Sequence, residues 1–319
     1  AGNACSGHGT SHPSLLAYRD AVRDEEVVEL FFVADNDAGF ELYRHELSPT
    51  PGALQPGLRL TEDPMDARRN ETRTAATVLN GRAYLAWSSD RVQSEPARSE
   101  IRGQLVHFQG SSRSVVEESE GHLPSWLSVA ELGAAEGEKH GALVWVSEQG
   151  DKPGVWLQAL DPDGLPVGAP SMLSGFVGGD TTVFVASHES GGAAVYTTVQ
   201  GSSRELRIQE LDALGAPEGV EHRVTSGDER ATGASLVAIP GGWVVAYRRS
   251  AADNLQSTVR LTFTDRSGNI ARVHDVAEAS PSGGPVQVRV ASDGRILLAW
   301  TDRVQDVTTV RALRVICPG

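Results

Sequence analysis

An apolar segment that ends in an aromatic residue recurs six times along the 319-residue chain. The six segments end at Phe32, Trp87, Trp145, Tyr196, Tyr247 and Trp300. The terminal aromatics are 55, 58, 51, 51 and 53 residues apart. A self-similar period of this length is the signature of an array in which one supersecondary unit is repeated. The repeat therefore constrains the fold more than any other feature of the chain.

Each copy contains the pattern of four strands. A second apolar segment precedes the aromatic one, and in five of six copies a glycine-containing turn such as Asn80-Gly81 joins the two as a hairpin. An alternating strand follows the aromatic, as in 155–160 and 205–211, and then an Asp-x-x-Gly turn of type I chemistry, as in 161–164. A more polar outer strand completes the copy. The four strands thus grade from buried to solvated.

Four graded strands per copy predict a propeller blade, and over nearly its whole length the chain resembles the β-propeller superfamily. It lacks the Trp-Asp repeat and the Ser-x-Asp-x-Gly-x-Thr-Trp box of sialidase-like propellers, so no particular family is assigned. We predict one all-β domain over 1–319, a single six-bladed β-propeller with four antiparallel strands per blade. A fold-level resemblance implies no activity.

The ends of the chain are predicted to close the ring. The last copy stops at Cys317-Pro318-Gly319, where its fourth strand should begin. We therefore expect the N-terminal segment 1–13 to complete the last blade and a disulfide to join Cys5 to Cys317. Two terminal cysteines, in a chain that begins at Ala-Gly-Asn without a leader, favour an exported bacterial-type protein that is secreted, periplasmic or on the cell surface.

Charge and hydropathy exclude two classes of partner. The formal net charge is −14 and the pI about 5.1, whereas nucleic acid and anionic membranes both require a basic footprint. No apolar run approaches the roughly 18 residues that suggest a bilayer span, so we predict no membrane insertion. A protein, a peptide or a glycan remains possible as the ligand.

The repeat register predicts one ligand-binding face, built by the loops that enter each first strand and leave each second strand. The residues predicted to contact ligand are Arg68, Arg69, Asp90, Arg91, Asp180, Asp228, Arg230, Asp302 and Arg303. The stretches Ser-Asp-Arg-Val-Gln (89–93) and Thr-Asp-Arg-Val-Gln (301–305) occupy equivalent loops. Their Asp-Arg pairs are either a repeated structural ion pair or a shared ligand contact, and the sequence leaves both open.

Motif searches identify no catalytic centre, metal site or cofactor site. The chain has no Gly-x-Ser-x-Gly elbow, His-Glu-x-x-His or P-loop, and Asp35-Asn36-Asp37 lacks the distal glutamate of an EF-hand. His8 and His12 have no accompanying Cys/His pattern. We expect an exported binding or scaffold module that presents its loops to a protein, peptide or glycan. The alternative is a propeller hydrolase or lyase with a charged or metal-containing centre at the central channel, so the question of enzyme activity stays open.

Overall fold

The structure is a computed structural model. It describes residues 13–21, 23–35, 40–47, 57–61, 69–91, 98–106, 112–118, 124–134, 137–148, 152–179, 181–201, 203–225, 229–250, 257–280, 284–304 and 307–315. Strands and turns make up these ranges, which contain no helix. Accordingly, the described part of the chain holds no helical segment of the length and apolarity that crossing a membrane requires.

The described strands fall into successive groups that follow the sequence repeat. In chain order they are β1 (Ser14–Asp20), β2 (Glu25–Asp35), β3 (Phe40–Glu46), β4 (Leu58–Arg59), β5 (Arg69–Leu79), β6 (Arg82–Arg91), β7 (Arg98–Leu105), β8 (Arg113–Glu118), β9 (Trp126–Glu131), β10 (Gly141–Ser147), β11 (Gly154–Leu160), β12 (Pro166–Ser174), β13 (Val183–His188), β14 (Gly191–Gln200), β15 (Ser203–Leu211), β16 (Pro217–Arg223), β17 (Arg230–Ile239), β18 (Gly242–Ser250), β19 (Ser257–Asp265), β20 (Ile270–Ala279), β21 (Gln287–Val290), β22 (Ile296–Val304) and β23 (Val307–Val315).

These strands form up-and-down antiparallel sheets that contact one another in chain order. The sheets are β1-β2-β3-β4, β5-β6-β7-β8, β9-β10-β11-β12, an eight-stranded sheet of β13 to β20, and β21-β22-β23. The first strands of successive groups, β1, β5, β9, β13, β17 and β21, contact each other in that order. This arrangement is a β-propeller, and the predicted all-β propeller fold is confirmed.

The predicted count of six separate four-stranded blades is wrong. Four of the sheets contain at least four strands, and the fifth has three. The eight-stranded sheet arises because the parallel neighbours β15 and β17 hydrogen-bond at one position, Arg204 opposite Arg230. That single bridge fuses two antiparallel groups that the sequence pattern treated as independent.

The repeated aromatics occupy the interfaces between sheets, as the repeat predicts. Trp87, Trp145, Tyr196, Tyr247 and Trp300 are all 5% exposed or less. Each packs with apolar side chains of the preceding strand group, as Trp145 does with Tyr84 and Ala86. In the first copy the fully buried ring is Phe31, whereas Phe32 is half-buried, so the predicted register was one residue off there.

Hydroxyl groups join consecutive first strands at the centre. Ser128 Oγ accepts a hydrogen bond from the Val185 N–H at 3.2 Å, and Ser235 Oγ accepts one from the Val288 N–H at 2.9 Å. Thr77 Oγ1 accepts from the Glu131 N–H at 3.2 Å in the same way. A first strand is a sheet edge, so these hydroxyls satisfy backbone donors that would otherwise lack a partner inside the protein.

The predicted ring closure falls on residues whose structure is not described. Cys5, Cys317 and positions 1–12 lie outside the described residues, so the disulfide, the added strand and the single-domain boundary stay predictions. The strand that should receive the added strand is described. Residues 307–314 of β23 are all exposed, whereas the equivalent third strands β11, β15 and β19 are largely covered.

Candidate functional site

One end of the sheets, where first strands begin and second strands end, is lined by polar side chains; we call it the polar face. Directly after the buried aromatics the second strands change from apolar to small hydroxylated residues. Those that are buried are Ser88, Ser89, Ser147, Thr197 and Thr198. Apolar packing therefore stops below this face, and hydrogen bonding takes over, which is the environment in which ligand-binding polar groups can be positioned.

The structure places the predicted site residues of the second sheet at this face. Arg69 begins β5, and Asp90 and Arg91 end β6, with Arg69 paired to Arg91 across the ladder. Only their backbones are described. Arg68, Asp180 and Asp228 lie outside the described residues.

Asp302 lies in the polar face as a buried, fully engaged carboxylate. It is 3% exposed; Arg311 Nε lies 2.7 Å from its Oδ2, and Arg248 Nη1 lies 3.5 Å from its Oδ1. The Ser280 N–H also donates to Oδ1 at 3.0 Å. Asp302 is therefore paired with arginines of two other strands, whereas the sequence paired it with Arg303, and the two readings of the Asp-Arg repeat stay predictions. The neighbouring Arg303 is exposed.

Arg248 holds the loop beneath Asp302. Its guanidinium is 1% exposed and donates to the carbonyls of Gly284 at 3.1 Å and Thr301 at 3.0 Å, and also to the carbonyl of Ser280. Burial lowers the pKa of Arg248, and the nearby Asp302 carboxylate partly offsets that effect. The side chain therefore ties β18 to β22 and to the segment that precedes β21.

A second cluster surrounds Glu229, which precedes β17. Glu229 Oε1 lies 3.2 Å from Arg249 Nε and also pairs with Arg260, whose Nε lies 2.6 Å from Asp275 Oδ1. Arg249 is 36% exposed, and the predicted site residue Arg230 is half-buried beside it on the ladder. The guanidinium of Arg249 therefore reaches the surface here, and the Glu229 carboxylate next to it balances part of the positive charge.

Arg73 is a polar-face cation that sequence reasoning missed. It sits in a bulge of β5, between the paired residues Glu71 and Thr74, and a bulge re-aims the side chain it carries. Arg73 is half-buried, and burial lowers the pKa of its guanidinium while the charge of Glu148 raises it. No sequence signal marks a bulge at this place.

Glu148 lies between Arg73 and Gly179, the residue that precedes the predicted site residue Asp180 in the sequence. It follows β10 and is half-buried. A Cβ added to Gly179 would lie 3.9 Å from Glu148 Oε2, so this carboxylate extends to the loop that ends at Asp180. Arg73 and Glu148 therefore place charged side chains of the second and third strand groups near the start of the fourth at the polar face.

The described residues contain no group of three or more His, Cys, Asp or Glu side chains that could hold a metal ion. The carboxylates named above are matched mainly with arginines. The described part of this face can therefore donate hydrogen bonds from arginine side chains to a ligand. Its carboxylate without an ion pair within 4 Å to a described residue is Glu148.

Comparisons with known proteins identify the fold and no family. No family model matches the sequence, and no curated protein matches it. Among solved structures, the Trypanosoma rangeli sialidase in complex with the inhibitor DANA aligns with a TM-score of 0.56 and 13% identity, over 97% of this chain and 55% of the sialidase. The endo-arabinase from Bacteroides thetaiotaomicron aligns with a TM-score of 0.41 and 11% identity, over 73% of this chain and 90% of the arabinase.

The likeness to the sialidase is one of fold. This chain spans about half of the sialidase's length. At 13% identity the likeness extends to the propeller architecture and gives no residue-by-residue correspondence. Function has to be argued from the polar face itself.

Proposed function

We propose that this propeller is a binding module whose polar face takes a glycan that carries a carboxylate group. The observation that supports the proposal is Arg73, a half-buried arginine that a bulge of β5 places at the polar face, where burial lowers the pKa of its guanidinium. A cation with reduced hydration gains more from an anionic partner than a fully hydrated one, and a guanidinium binds carboxylates bidentately.

Arginines from other strand groups extend this preference across the face. Arg230 and Arg249 lie at the start of β17 and the end of β18, and Arg303 is exposed at the end of β22. The whole chain carries a formal charge of −14. The exposed arginines of this face favour an anionic ligand, and the negative charge of the whole chain favours one that is small enough to avoid the remaining negative surface.

A glycan is the ligand class to test first, ahead of a protein or a peptide. The Trypanosoma rangeli sialidase, which shares the propeller fold, was also solved with sialic acid bound, at a TM-score of 0.53 and 12% identity to this chain. Sialic acid is an acidic sugar, so it matches the charge of the polar face. Export of the chain and the absence of a nucleic-acid partner remain part of the proposal.

Calorimetric titration with sialic acid tests the proposal, with its methyl ester as the matched uncharged ligand. We expect the acid to bind and the ester to bind at least about tenfold more weakly, since one charge-assisted contact contributes roughly 1.5–3 kcal/mol. Arg73→Ala should weaken binding of the acid by a similar factor. Arg272→Ala, which removes an exposed arginine from the outer strand β20, should leave it unchanged.

Equal binding of the acid and the ester would exclude carboxylate recognition at this face. The further predicted contact residues are examined in the same titration with Arg69→Ala, Asp180→Ala and Asp228→Ala. If melting and binding are both unchanged in all three, these residues do not contact the ligand.

A propeller glycoside hydrolase is the second candidate, and Glu148 is the observation that favours it. Most glycosidases use a pair of carboxyl groups, and sialidases replace the nucleophile of this pair with a tyrosine; in both cases a carboxyl group can donate the proton to the leaving group. The carboxylates of Glu229 and Asp302 form ion pairs with arginines, whereas Glu148 has no ion pair within 4 Å to a described residue. Glu148→Gln should abolish any release of a fluorogenic aryl sialoside while retaining sialic acid binding. A wild-type protein that binds sialic acid without cleaving the sialoside is a binding module.

A further inference from the structure

A cavity of about 650 Å³ opens at the opposite end of the sheets, which we call the turn face. Its lining residues come from three strand groups. They are Glu131, Gly133, Ala134 and Lys139 after β9, Ser187, His188, Glu189 and Ser190 at the β13–β14 hairpin, and Arg266 in the β19–β20 turn. None of the predicted ligand-contact residues borders this cavity.

Arg266 is held in place by the backbone of its turn. The Gly268 N–H donates to the Asp265 carbonyl at 3.1 Å, and Trp243 Nε1 donates to the Arg266 carbonyl at 3.4 Å. Its guanidinium is 48% exposed and lies 3.8 Å from Glu189 Oε2, which is too long for a hydrogen bond. Glu189 is itself 94% exposed, so this contact contributes little. The guanidinium fork is therefore directed at the cavity without a hydrogen-bonded carboxylate among the described residues.

His188 belongs to the cavity wall, and its Nε2 atom is buried. The Ser190 N–H donates to Nδ1 at 3.1 Å, so in the neutral ring the proton is on Nε2. Nε2 has no hydrogen-bond partner among the described residues, and the nearest carboxylate oxygen, Glu210 Oε1, is 4.0 Å away. A ring whose Nδ1 is occupied and whose Nε2 is protonated is a hydrogen-bond donor and a poor metal ligand.

Charged groups around the cavity act on the His188 ring. Burial lowers the pKa of His188, and the charge of Arg266 lowers it further, while Glu189 and Glu218 raise it. Arg266 and His188 are thus close enough to interact. On the other side of the cavity the Lys139 ammonium lies 2.7 Å from Glu131 Oε1, so that cation is already paired.

Gly133 lets the two connecting loops come into contact. A Cβ at this position would lie 1.6 Å from the His188 carbonyl oxygen, and the Gly133 N–H donates to the Gly191 carbonyl at 3.0 Å. Any larger residue would separate the loops, so the close contact at Gly133 helps to set the shape of the cavity wall.

We infer that the turn-face cavity is a second ligand site, which binds a small molecule carrying a carboxylate through the guanidinium of Arg266. The fork of Arg266 can donate to both carboxylate oxygens, and the hydrogen-bonded turn beneath it fixes the backbone from which the side chain extends. This site is separate from the polar face and does not depend on the function proposed there.

Succinate is the probe, with succinamide as its uncharged counterpart, followed by calorimetry and by NMR of the His188 ring. We expect saturable binding of succinate, none of succinamide, and a shift of the His188 ring resonances as the charge of Arg266 is neutralised. Arg266→Ala should weaken binding at least about tenfold, and Arg266→Lys should give an intermediate loss because it keeps the charge without the fork. The control Arg272→Ala should bind as the wild type does.

Two results would overturn the inference. One is succinate binding that is unchanged in Arg266→Ala. The other is no saturable binding by the folded wild-type protein. Binding that is lost in Arg73→Ala and retained in Arg266→Ala would place succinate at the polar face and would leave the turn-face cavity without a carboxylate ligand.

Discussion

At the scale of the residue, arginine supplies nearly all of the positive charge in this chain. Of 28 basic residues, Lys139 and Lys152 are the lysines, and the rest are arginines. Arg248 shows what this choice allows, since one planar group with five donors can satisfy several backbone carbonyls and one carboxylate together. A lysine at the same place could not reach these acceptors in one plane.

The buried pair of Arg248 and Asp302 is therefore expected to be strongly coupled. Arg248→Met removes the donor to the Ser280, Gly284 and Thr301 carbonyls and leaves Asp302 paired with Arg311, while Asp302→Leu leaves the buried Arg248 without its carboxylate. Each variant should therefore cost about 3–5 kcal/mol of unfolding free energy. The double variant should cost clearly less than the sum of the two. Urea denaturation measures all three, and Arg249→Met, which alters a 36% exposed neighbour, is the matched control with an expected cost of at most about 1 kcal/mol. Additive costs would mean that the two side chains stabilise the fold independently.

At the scale of the element, the second and third strands carry a pairing that the sequence repeat conceals. The buried aromatic faces an arginine across the ladder in five strand groups. The pairs are Phe31 with Arg44, Trp87 with Arg102, Tyr196 with Arg207, Tyr247 with Arg260 and Trp300 with Arg311. In the remaining group Trp145 faces Trp156. Each of these arginines is bound by at least one carboxylate.

The sequence could predict the aromatic half of this pairing and not the arginine half. The aromatics recur at a nearly constant spacing because each fills the same interface between sheets. The arginines follow them by 11 to 15 residues, because the loop between the two strands varies in length. Register across a hairpin depends on the loop, so a pattern search along the chain does not find the partner.

The ladder arginines are expected to stabilise the fold in proportion to their burial. Arg207, which is 25% exposed, lies 2.6 Å from Glu205 and 2.7 Å from Glu221. Arg207→Ala should lower the unfolding free energy by about 1–2 kcal/mol, with a smaller loss at high salt. The matched control is Arg19→Ala, whose pair with Asp24 is 64% and 83% exposed and should contribute at most about 1 kcal/mol. Equal losses in the two variants would show that burial does not decide the contribution.

At the scale of the whole molecule, the interface between the first and last sheets differs from the others. Each pair of consecutive strand groups shares a buried apolar cluster, but within the described ranges the first and last sheets share none. Apolar side chains are exposed on both sheets instead, including Leu15 at 63%, Leu297 at 42% and Val310 at 78%. Among the described residues, no buried apolar cluster joins the first sheet to the last, so a covalent or polar link between these sheets would contribute most to stability here.

The two proposed binding sites also emerge only at this scale. The repeat register could place Arg69, Asp90 and Arg230 at one end of the sheets, because strand order alone determines which ends meet. It could not find Arg73, which depends on a bulge, or the turn-face cavity, which depends on Arg266 reaching residues of two other strand groups. Sites formed between strand groups are built from contacts that have no counterpart in a local sequence pattern.

The predicted disulfide between Cys5 and Cys317 would close the interface between the first and last sheets covalently. It would constrain a loop of over 300 residues, for which the chain-entropy model gives roughly 5–6 kcal/mol as an upper figure, reduced by any strain in the native state. Thiol titration of the denatured, unreduced protein should find no free cysteine. Cys5→Ser and Cys317→Ser should lower the unfolding free energy equally, and the double variant should lose no more than either single one, because all three remove the same bond. Two titratable thiols, or serine variants as stable as the unreduced wild type, would show that the ring is closed without a covalent link.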